Sequence, residues 1–316
     1  MLHRIRAVVA ALALSLVALP VAALPFSSLY VFGDSLVDAG NTQQLVVGLG
    51  GSDPTPAAAG YFDGRFTNGI NPADVVNLAI SGVNSDNSLA GGRNFAFGGA
   101  RARNDGAGVP DLAAQVAQFS ASVGGVANPN ALYLINVGGN DVFDILAGGS
   151  APTIISAAAA AISTSVATLH SMGAQNIIFV GVGDVGSPPS ANGAEIPGRN
   201  ASIALNSAIQ AALPSNVIFF NTIGFFDVVS ANPTLYGLPA GLLTEVSCLS
   251  GGGAPPAGPP TCNAYTFFDN THPTTQVLQV LGNALVATVP EPGTGLLVAF
   301  GVAAIAARRR AERRAA

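Results

Sequence analysis

A serine, a histidine and an aspartate in this chain could together carry out nucleophilic chemistry. Ser35 lies in VFGDSLVDAGN, directly after an apolar run. A serine hydroxyl becomes a nucleophile when a histidine takes its proton and an acid orients that histidine. Of the three histidines, His3 lies in an apolar leader, and His170 lies late in a helical pattern, where a surface position near the helix C-terminus is expected. His272 is therefore the candidate base.

The segment FFDNTHPTTQ contains His272, with Asp269 three residues before it and Pro273 directly after it. Because proline is favoured at helix starts, the segment predicts a loop that leads into a last helix. Such a loop can turn Asp269 and His272 toward each other. The alternative is that both side chains only cap the helix, and the segment alone leaves both interpretations open.

Two glycine-containing segments could supply hydrogen-bond donors. In INVGGND, Gly138 and Gly139 allow the backbone to approach a ligand closely, and Asn140 adds an amide donor. The segment NFAFGGARA, residues 94–102, brings further glycines and their backbone N–H groups to a strand end. Each segment could equally be an ordinary turn, because Gly, Asn and Asp favour turns.

Apolar, β-branched runs must position these segments. Continuous rather than alternating apolar runs are typical of parallel strands that are buried on both faces. The predicted strands are SLYVF (28–32), ALYLINV (131–137), NIIFVGV (176–182) and NVIFFN (216–221), with NFAF (94–97) as a weaker and shorter candidate. Ser35 then lies at the carboxyl end of the first strand, where parallel α/β sheets place their chemistry.

Helical patterns alternate with these strands. They cover residues 109–123, 151–174, 200–213 and 274–289, and Gly173 is the predicted C-cap of the second. Strand and helix alternation over residues 24–289 predicts a three-layer α/β/α sandwich with a mainly parallel sheet.

Four of these segments, in this order, resemble the GDSL or SGNH hydrolase family. FGDSLVDAGN matches its first block, NFAFGGA its second, GGND its third and DNTHPT its last, and GRFTNG (64–69) is similar to a segment between the first two blocks. The resemblance covers about residues 28–289. It implies a flavodoxin-like α/β sandwich and a hydrolase that needs no metal ion or other cofactor.

The resemblance also implies a role for each matching residue. Ser35 is expected to be the nucleophile, His272 the general base and Asp269 the acid that orients it, whereas Asp34 is expected to be structural. The expected oxyanion hole consists of the Ser35 backbone N–H, a glycine N–H of the second block and the Asn140 side chain. The spacing favours Gly99 over Gly98, although the glycine doublet leaves both open.

The implied function is the cleavage of carboxylic esters, as in an esterase, lipase or acylhydrolase. One alternative is a polysaccharide O-acetylesterase. Another is a non-catalytic glycan-binding protein of the envelope or extracellular matrix that uses the same fold.

Composition and charge exclude one class of partner. The 316 residues are 49% hydrophobic and only 9% charged, against about 25% charged in a typical globular protein. The chain has no lysine, and residues 24–289 carry five arginines against fifteen acidic residues. A body this acidic argues against a nucleic-acid partner, which requires a basic face.

Both ends of the chain have the character of targeting signals. Residues 1–23 combine a basic start, a short apolar run and small residues at a plausible cleavage site, which predicts a secretory signal peptide. Residues 290–316 begin with Pro290-Glu291-Pro292, continue with about fifteen apolar residues and end in arginines. This tail resembles the PEP-CTERM sorting signal of Gram-negative bacteria.

The resemblance of the tail implies export through the inner membrane and processing by an exosortase. The tail would hold the protein at the membrane only transiently. The protein would then reside in the cell envelope, in the extracellular matrix or outside the cell. The alternative for either hydrophobic end is a retained membrane anchor, although both runs are short for a spanning helix.

The two cysteines, Cys248 and Cys262, fit an exported protein and predict a disulfide. They bracket a loop rich in Gly and Pro, and closing about 15 residues would contribute about 3 kcal/mol on the chain-entropy argument. A metal site is not expected, because only two cysteines are present and no paired histidines lie near them.

Overall fold

The structure is a computed structural model that describes residues 24–104, 106, 108–251 and 261–289. The predicted signal peptide (1–23) and sorting tail (290–316) lie outside the described residues. The predicted hydrolase domain, residues 24–289, therefore contains all of the architecture described below.

Four parallel strands form the sheet, and each coincides with a predicted apolar run. They lie in the order β1-β2-β3-β4 and comprise β1 (Leu29–Gly33), β2 (Leu132–Asn136), β3 (Asn176–Val180) and β4 (Ile218–Phe220). The weaker candidate, 94–97, is not a regular strand. It forms an isolated parallel bridge with β1, in which Phe95 N–H donates to Val31 O at 2.8 Å.

This bridge completes a familiar topology. Segment 94–97 lies beside β1 on the side away from β2. The sheet then has five extended segments, namely segment 94–97 and the four strands. Numbered by their order in the chain, they lie side by side as 2-1-3-4-5, which is the flavodoxin-like order. The predicted parallel α/β sandwich is confirmed. The strand order of its sheet changes direction between β1 and β2, and in such sheets ligands bind at this point.

Eight α-helices lie in the described part of the chain. They are α1 (Asn41–Gly48), α2 (Pro72–Ser81), α3 (Leu112–Ser122), α4 (Gly139–Leu146), α5 (Ala151–Met172), α6 (Glu195–Ala212), α7 (Thr222–Ala231) and α8 (Thr275–Thr288). Four of them, α3, α5, α6 and α8, match the predicted helices. Gly173 ends α5 with a φ of 109°, as a left-handed C-cap requires. The start of α6 lies five residues before the prediction, because Pro197 and Gly198 fit within its first turn.

Two apolar layers cover the sheet because its side chains alternate between its faces. Phe32, Tyr133 and Phe179 point into a core that they share with α3, α4, α5 and α6. Val31 and Leu134 point to the opposite face, where α2 and α8 pack. The result is a three-layer sandwich in which both faces of the sheet are buried.

Helix α5 is long and apolar enough to cross a membrane by length and composition. Its buried residues recur at helical spacing, as in Ile154, Ala158, Ile162, Val166 and Leu169. Ala158, Ile162, Val166 and Leu169 belong to the core on one face of the sheet. Packing within the domain therefore accounts for the apolar residues on the buried face of α5.

Candidate active site

Ser35 follows the carboxyl end of β1 in a tightly held turn. A Cβ atom at Gly33 would lie 2.1 Å from the Asn136 carbonyl oxygen, so this close approach of β1 to β2 requires glycine. The Gln115 side chain bonds both backbone groups of Gly33 at 2.8 Å, and Asp34 N–H donates to Asn136 O at 3.0 Å. These contacts fix the backbone from which the Ser35 side chain projects.

Asp269 and His272 lie in a closed loop before α8. The Asp269 Oδ1 atom accepts from the backbone N–H groups of Thr271 at 2.8 Å and His272 at 2.7 Å. Phe268 N–H donates to His272 O at 2.7 Å and closes the turn. Helix α8 begins at Thr275 with Thr274 as its N-cap, so neither Asp269 nor His272 caps it.

The fold brings Ser35 to this loop. Ser35 Oγ lies 2.8 Å from His272 Nε2, although 237 positions separate the two residues in the chain. His272 Nδ1 lies 2.8 Å from Asp269 Oδ2 and 3.0 Å from Oδ1. Because a carboxylate only accepts, Nδ1 carries the proton in this arrangement and Nε2 is left to accept from the serine. The other histidine in the described region, His170, lies in the last turn of α5 and contacts Asn216.

The surroundings of Asp269 favour the ionised form of its carboxyl group. Burial alone would raise its pKa, but the hydrogen bonds and charge of His272, with the N–H of Thr271, hold the pKa of Asp269 below its ordinary value. Its Oδ2 atom also accepts from Tyr61 Oη at 2.9 Å. The Phe66 ring lies 5.1 Å from the His272 ring.

The predicted oxyanion donors include one glycine of the doublet 98–99, and the two glycines differ in their surroundings. Gly98 is buried, and its N–H donates to Asp38 Oδ2 at 3.0 Å and Thr42 Oγ1 at 2.6 Å. Gly99 is exposed with a φ of 84°, and within the described region its N–H has no acceptor. Asn140 Nδ2 donates one hydrogen to Ala100 O at 2.9 Å, which leaves its second N–H available.

A carboxyl group beside Ser35 is also perturbed. Asp34 is 4% exposed, and burial, with lesser contributions from neighbouring Asp38 and Asp141, raises its pKa from 3.8 to about 7. Its Oδ1 atom accepts from Leu36 N–H at 3.1 Å, which supports the turn after β1. No hydrogen bond joins Asp34 to the His272 ring in the described structure, so this carboxyl is not a member of the hydrogen-bonded chain from Ser35 to Asp269.

A cavity of about 370 Å³ opens beside the serine. Ser35, Asn140 and His272 line it together with a largely apolar wall. Members of that wall from α7, the following turn and α8 are Phe226, Val229, Leu238, Leu242, Val277 and Leu278. The arrangement places the Ser35 hydroxyl, the His272 ring and the Asn140 amide in the lining of a largely apolar cavity, a combination that is suited to acyl transfer.

Comparison with known families agrees with the sequence motifs. Residues 29–285 match the family described as GDSL-like lipase/acylhydrolase. The chain belongs to this family. Residues 288–310 also match the PEP-CTERM protein-sorting motif, which indicates export in Gram-negative bacteria. Both resemblances drawn from the sequence are therefore confirmed.

Individual GDSL relatives are distant. The chain is 36% identical over 171 residues to Lipase 1 of Photorhabdus luminescens, covering 52% of this chain and 23% of that protein. It is 27% identical over 196 residues to GDSL esterase/lipase 6 of Arabidopsis thaliana, covering 52% and 53%. The chain thus spans about half or less of the length of these two relatives.

Among solved structures, the chain is similar to Axe2, an acetylxylan esterase from Geobacillus stearothermophilus. The two are 14% identical, with a TM-score of 0.47, and the match covers 84% of this chain and 95% of Axe2.

The predicted disulfide is present in this GDSL chain and lies beside the Asp269 loop. Cys248 and Cys262 are bonded to each other, and both are buried. Backbone bonds join the Cys248 side of the bridge to that loop, because Cys248 N–H donates to Phe267 O at 2.9 Å and Leu249 N–H to Phe268 O at 3.0 Å. The bridge therefore anchors the segment that ends at Asp269.

Two features of the GDSL site escaped the sequence interpretation. Tyr61 contacts Asp269 across 208 residues, and no local pattern around it signals this contact. The apolar wall of the cavity combines α7, the turn after it and α8, and only α8 was predicted. Within the described residues, no group of three or more His, Cys, Asp or Glu side chains could hold a metal ion.

Proposed function

We propose that this chain is an exported serine hydrolase that cleaves carboxylic esters with an apolar acyl group. The observation that carries the proposal is the hydrogen-bonded chain from Ser35 Oγ through His272 to Asp269. The proposed domain organisation is a signal peptide over 1–23, the hydrolase domain over 24–289 and a sorting signal over 290–316. The proposed processing partner is an exosortase.

In the acylation step, Ser35 Oγ attacks the ester carbonyl carbon while His272 Nε2 takes the hydroxyl proton. The Asp269 carboxylate stabilises the imidazolium that forms and keeps the ring in the required orientation. The tetrahedral intermediate then collapses, its carbon–oxygen bond to the alcohol breaks, and His272 returns the proton to the leaving oxygen. The product left on the protein is an acyl ester of Ser35.

The developing oxyanion needs donors that are already in place. The Ser35 N–H and the Gly99 N–H are free to donate, whereas the Gly98 N–H is already bonded to Asp38 and Thr42. We therefore assign the oxyanion hole to Ser35, Gly99 and Asn140. A water molecule, deprotonated by His272, then attacks the acyl carbon, and the acid leaves as Ser35 regains its proton.

The shape and polarity of the cavity support the acyl preference. Burying a methylene group contributes about 0.8 kcal/mol, so a wall built from Phe, Val and Leu side chains favours an acyl chain of several carbons. An acetyl group would leave most of this wall without a contact. The cavity thus supports an acylhydrolase over a polysaccharide O-acetylesterase, and the ordered triad supports an enzyme over a glycan-binding protein.

The test is hydrolysis of p-nitrophenyl esters with acyl chains of two to twelve carbons, by the purified chain and by Ser35→Ala. Ser230→Ala is the matched control, because Ser230 also lines the cavity but does not contact His272. We expect turnover that depends on Ser35, is greatest for a chain longer than acetyl, and is retained in the control. A fluorophosphonate should add mass to the chain only when Ser35 is present.

Two outcomes would contradict the proposal. Serine-dependent release of acetate from an acetylated polysaccharide, without turnover of longer esters, would identify a polysaccharide O-acetylesterase. Glycan binding without serine-dependent turnover of any ester would identify the non-catalytic protein.

A further inference from the structure

The segment Tyr61–Asn68 packs along the loop that carries Asp269 and His272. This segment contains the first five residues of GRFTNG (64–69), a motif to which the proposed mechanism assigns no role. Its contacts are Tyr61 Oη to Asp269 Oδ2 at 2.9 Å, the Phe66 ring to the His272 ring at 5.1 Å, Thr67 Oγ1 to Pro273 O at 2.8 Å and Thr275 N–H to Asn68 Oδ1 at 2.9 Å. Four successive contacts over this length hold the loop from one side.

Arg65, in the middle of the segment, anchors it to the rest of the domain. Arg65 is 2% exposed and forms a two-pronged pair with Asp74 of α2, with both nitrogen–oxygen distances at 2.9 Å. The guanidinium also donates to Ser85 O at 2.8 Å and to Asp63 O at 2.8 Å. A guanidinium that is paired and fully hydrogen-bonded in this way fixes the backbone of the segment that carries Tyr61 and Phe66.

Tyr61 is the member of the segment that reaches the Asp269 carboxylate. Oδ1 of Asp269 is occupied by two backbone N–H groups of its own loop. Oδ2 accepts the closer bond from His272 Nδ1, at 2.8 Å, and the bond from Tyr61 Oη, at 2.9 Å. The tyrosine thus bonds the same oxygen atom as the histidine.

The tyrosine is held as a donor. Its ring packs edge-to-face on Phe268, with the ring centres 4.9 Å apart, and both belong to the cluster around the disulfide. Burial and the adjacent Asp269 charge raise the pKa of Tyr61 above its ordinary value, so the hydroxyl keeps its proton. Tyr61 does not line the apolar cavity.

We propose that Tyr61 is a positioning residue whose hydroxyl holds the Asp269 carboxylate in the orientation in which Oδ2 accepts from His272 Nδ1. The proposal rests on the proposed function, because it gives Tyr61 a role only through Asp269. Without the hydroxyl, one bond to Oδ2 is lost and the carboxylate is free to turn away from the imidazole. The consequence falls on the chemical step and leaves substrate binding unchanged.

The test is Tyr61→Phe, which keeps the ring on Phe268 and removes only the hydroxyl. The matched control is Tyr265→Phe, because Tyr265 packs in the same cluster and its hydroxyl bonds Gly251 O at 3.2 Å, away from Asp269. With p-nitrophenyl butyrate we expect kcat to fall roughly 10-fold in Tyr61→Phe, as for the loss of one hydrogen bond to a charged group. KM should stay within about twofold in both variants, and kcat should be unchanged in the control.

A second measurement separates positioning from a general structural effect. In an Asp269→Asn background, which alone is expected to lower kcat by orders of magnitude, Tyr61→Phe should change kcat less than about twofold. A full loss of about 10-fold in that background would overturn the proposal, because Tyr61 would then act independently of the carboxylate. An unchanged kcat in Tyr61→Phe would overturn it directly.

Failure of the proposed function gives a different pattern. If Ser35→Ala retains full activity, the triad assignment itself is wrong and Tyr61 loses its role with it. If Ser35→Ala is inactive and Tyr61→Phe behaves as the unsubstituted protein, only the role of Tyr61 is wrong. Urea midpoints of all variants, measured alongside, identify any loss of rate that comes from unfolding.

Discussion

Asp38 Oδ2 accepts a hydrogen bond from the Gly98 backbone N–H at 3.0 Å, which ties the turn after β1 to the second glycine motif. Asp38 is fully buried, and its two oxygens also accept from the N–H groups of Gly40, Asn41 and Thr42 at the start of α1. One carboxylate therefore organises both the helix that follows Ser35 and the turn that exposes the N–H of Gly99.

We expect Asp38→Asn to lower the free energy of unfolding by about 2 kcal/mol, because an amide has one acceptor oxygen where the carboxylate has two. Whichever way the amide turns, its NH₂ group faces two N–H donors. Urea unfolding measures the effect, and Glu245→Gln, at an exposed carboxyl, is the control. Equal stability of Asp38→Asn and the unsubstituted protein would contradict the expectation.

Asn140 tests the proposed oxyanion hole. Removing one preorganised donor typically lowers kcat by about 100- to 1000-fold, and we expect Asn140→Ala to fall in that range. Because the side chain is only half-buried and makes one bond, to Ala100 O, stability should change by less than about 1 kcal/mol. Steady-state kinetics of ester hydrolysis by Asn140→Ala and the unsubstituted protein measure the change in kcat. A loss below about fivefold would show that the side chain does not bind the oxyanion.

The disulfide should stabilise the loop that carries Asp269. We expect the double variant Cys248→Ala, Cys262→Ala to lose about 3 kcal/mol of stability through the larger entropy of its unfolded chain, and to lose activity at temperatures where the unsubstituted protein is active. Thermal unfolding with and without dithiothreitol measures this effect. The reductant should lower the Tm of the unsubstituted protein toward that of the variant and leave the variant unchanged. Identical melting curves for both proteins would contradict the prediction.

The strands were predictable because continuous apolar runs suffice for buried parallel strands. Helix α4 was not, because its start, Gly139-Asn140-Asp141, has the composition of a turn. The helix forms there because distant contacts outweigh local preference. Asp141 is fully buried and its Oδ2 atom accepts from Ala102 N–H at 2.8 Å, while Val142 packs into the core.

The same contrast applies to the site. Asp269 and His272 lie three residues apart in one loop, so local chain geometry permits their pairing, and the resemblance to the family selected it over helix capping. The contacts of Tyr61 with Asp269 and of Asp38 with Gly98 join residues 208 and 60 positions apart. Such contacts depend on how the layers pack, which the spacing of residues within one segment does not encode.

Asp34 should make stability depend on pH. Its pKa is about 7 in the folded protein against 3.8 for the ordinary carboxyl. Between these values the folded state holds a proton that the unfolded chain has released, so raising the pH through this window lowers the free energy of unfolding. The loss is complete above about pH 7 and amounts to at most about 4 kcal/mol.

Asp34→Asn should remove this dependence, because an amide has no proton to release and its oxygen can still accept from Leu36 N–H. We expect the stability of the variant relative to the unsubstituted protein to increase between pH 4.5 and pH 8. Urea unfolding at several pH values measures the difference. Asp141, whose burial raises its pKa to about 6, is present in both proteins, so the part of its contribution that does not depend on the Asp34 charge cancels in the comparison. A difference that does not change with pH would show that Asp34 is ionised throughout.

Val229 tests the apolar cavity as the acyl site. It lies on α7, is 2% exposed and lines the cavity, whereas its neighbour Val228 is 53% exposed and does not. We expect Val229→Phe to shorten the cavity. The value of kcat/KM should then fall at least about 10-fold for p-nitrophenyl octanoate and less than about threefold for the acetate, because each methylene group excluded from the cavity loses about 0.8 kcal/mol of binding free energy. Val228→Phe adds the same ring outside the cavity and should leave the preference for chain length unchanged. Overpacking at Val229 costs about 1–3 kcal/mol of stability, so only the ratio of the two rates is diagnostic. An equal loss on both esters would mean that the acyl chain binds elsewhere.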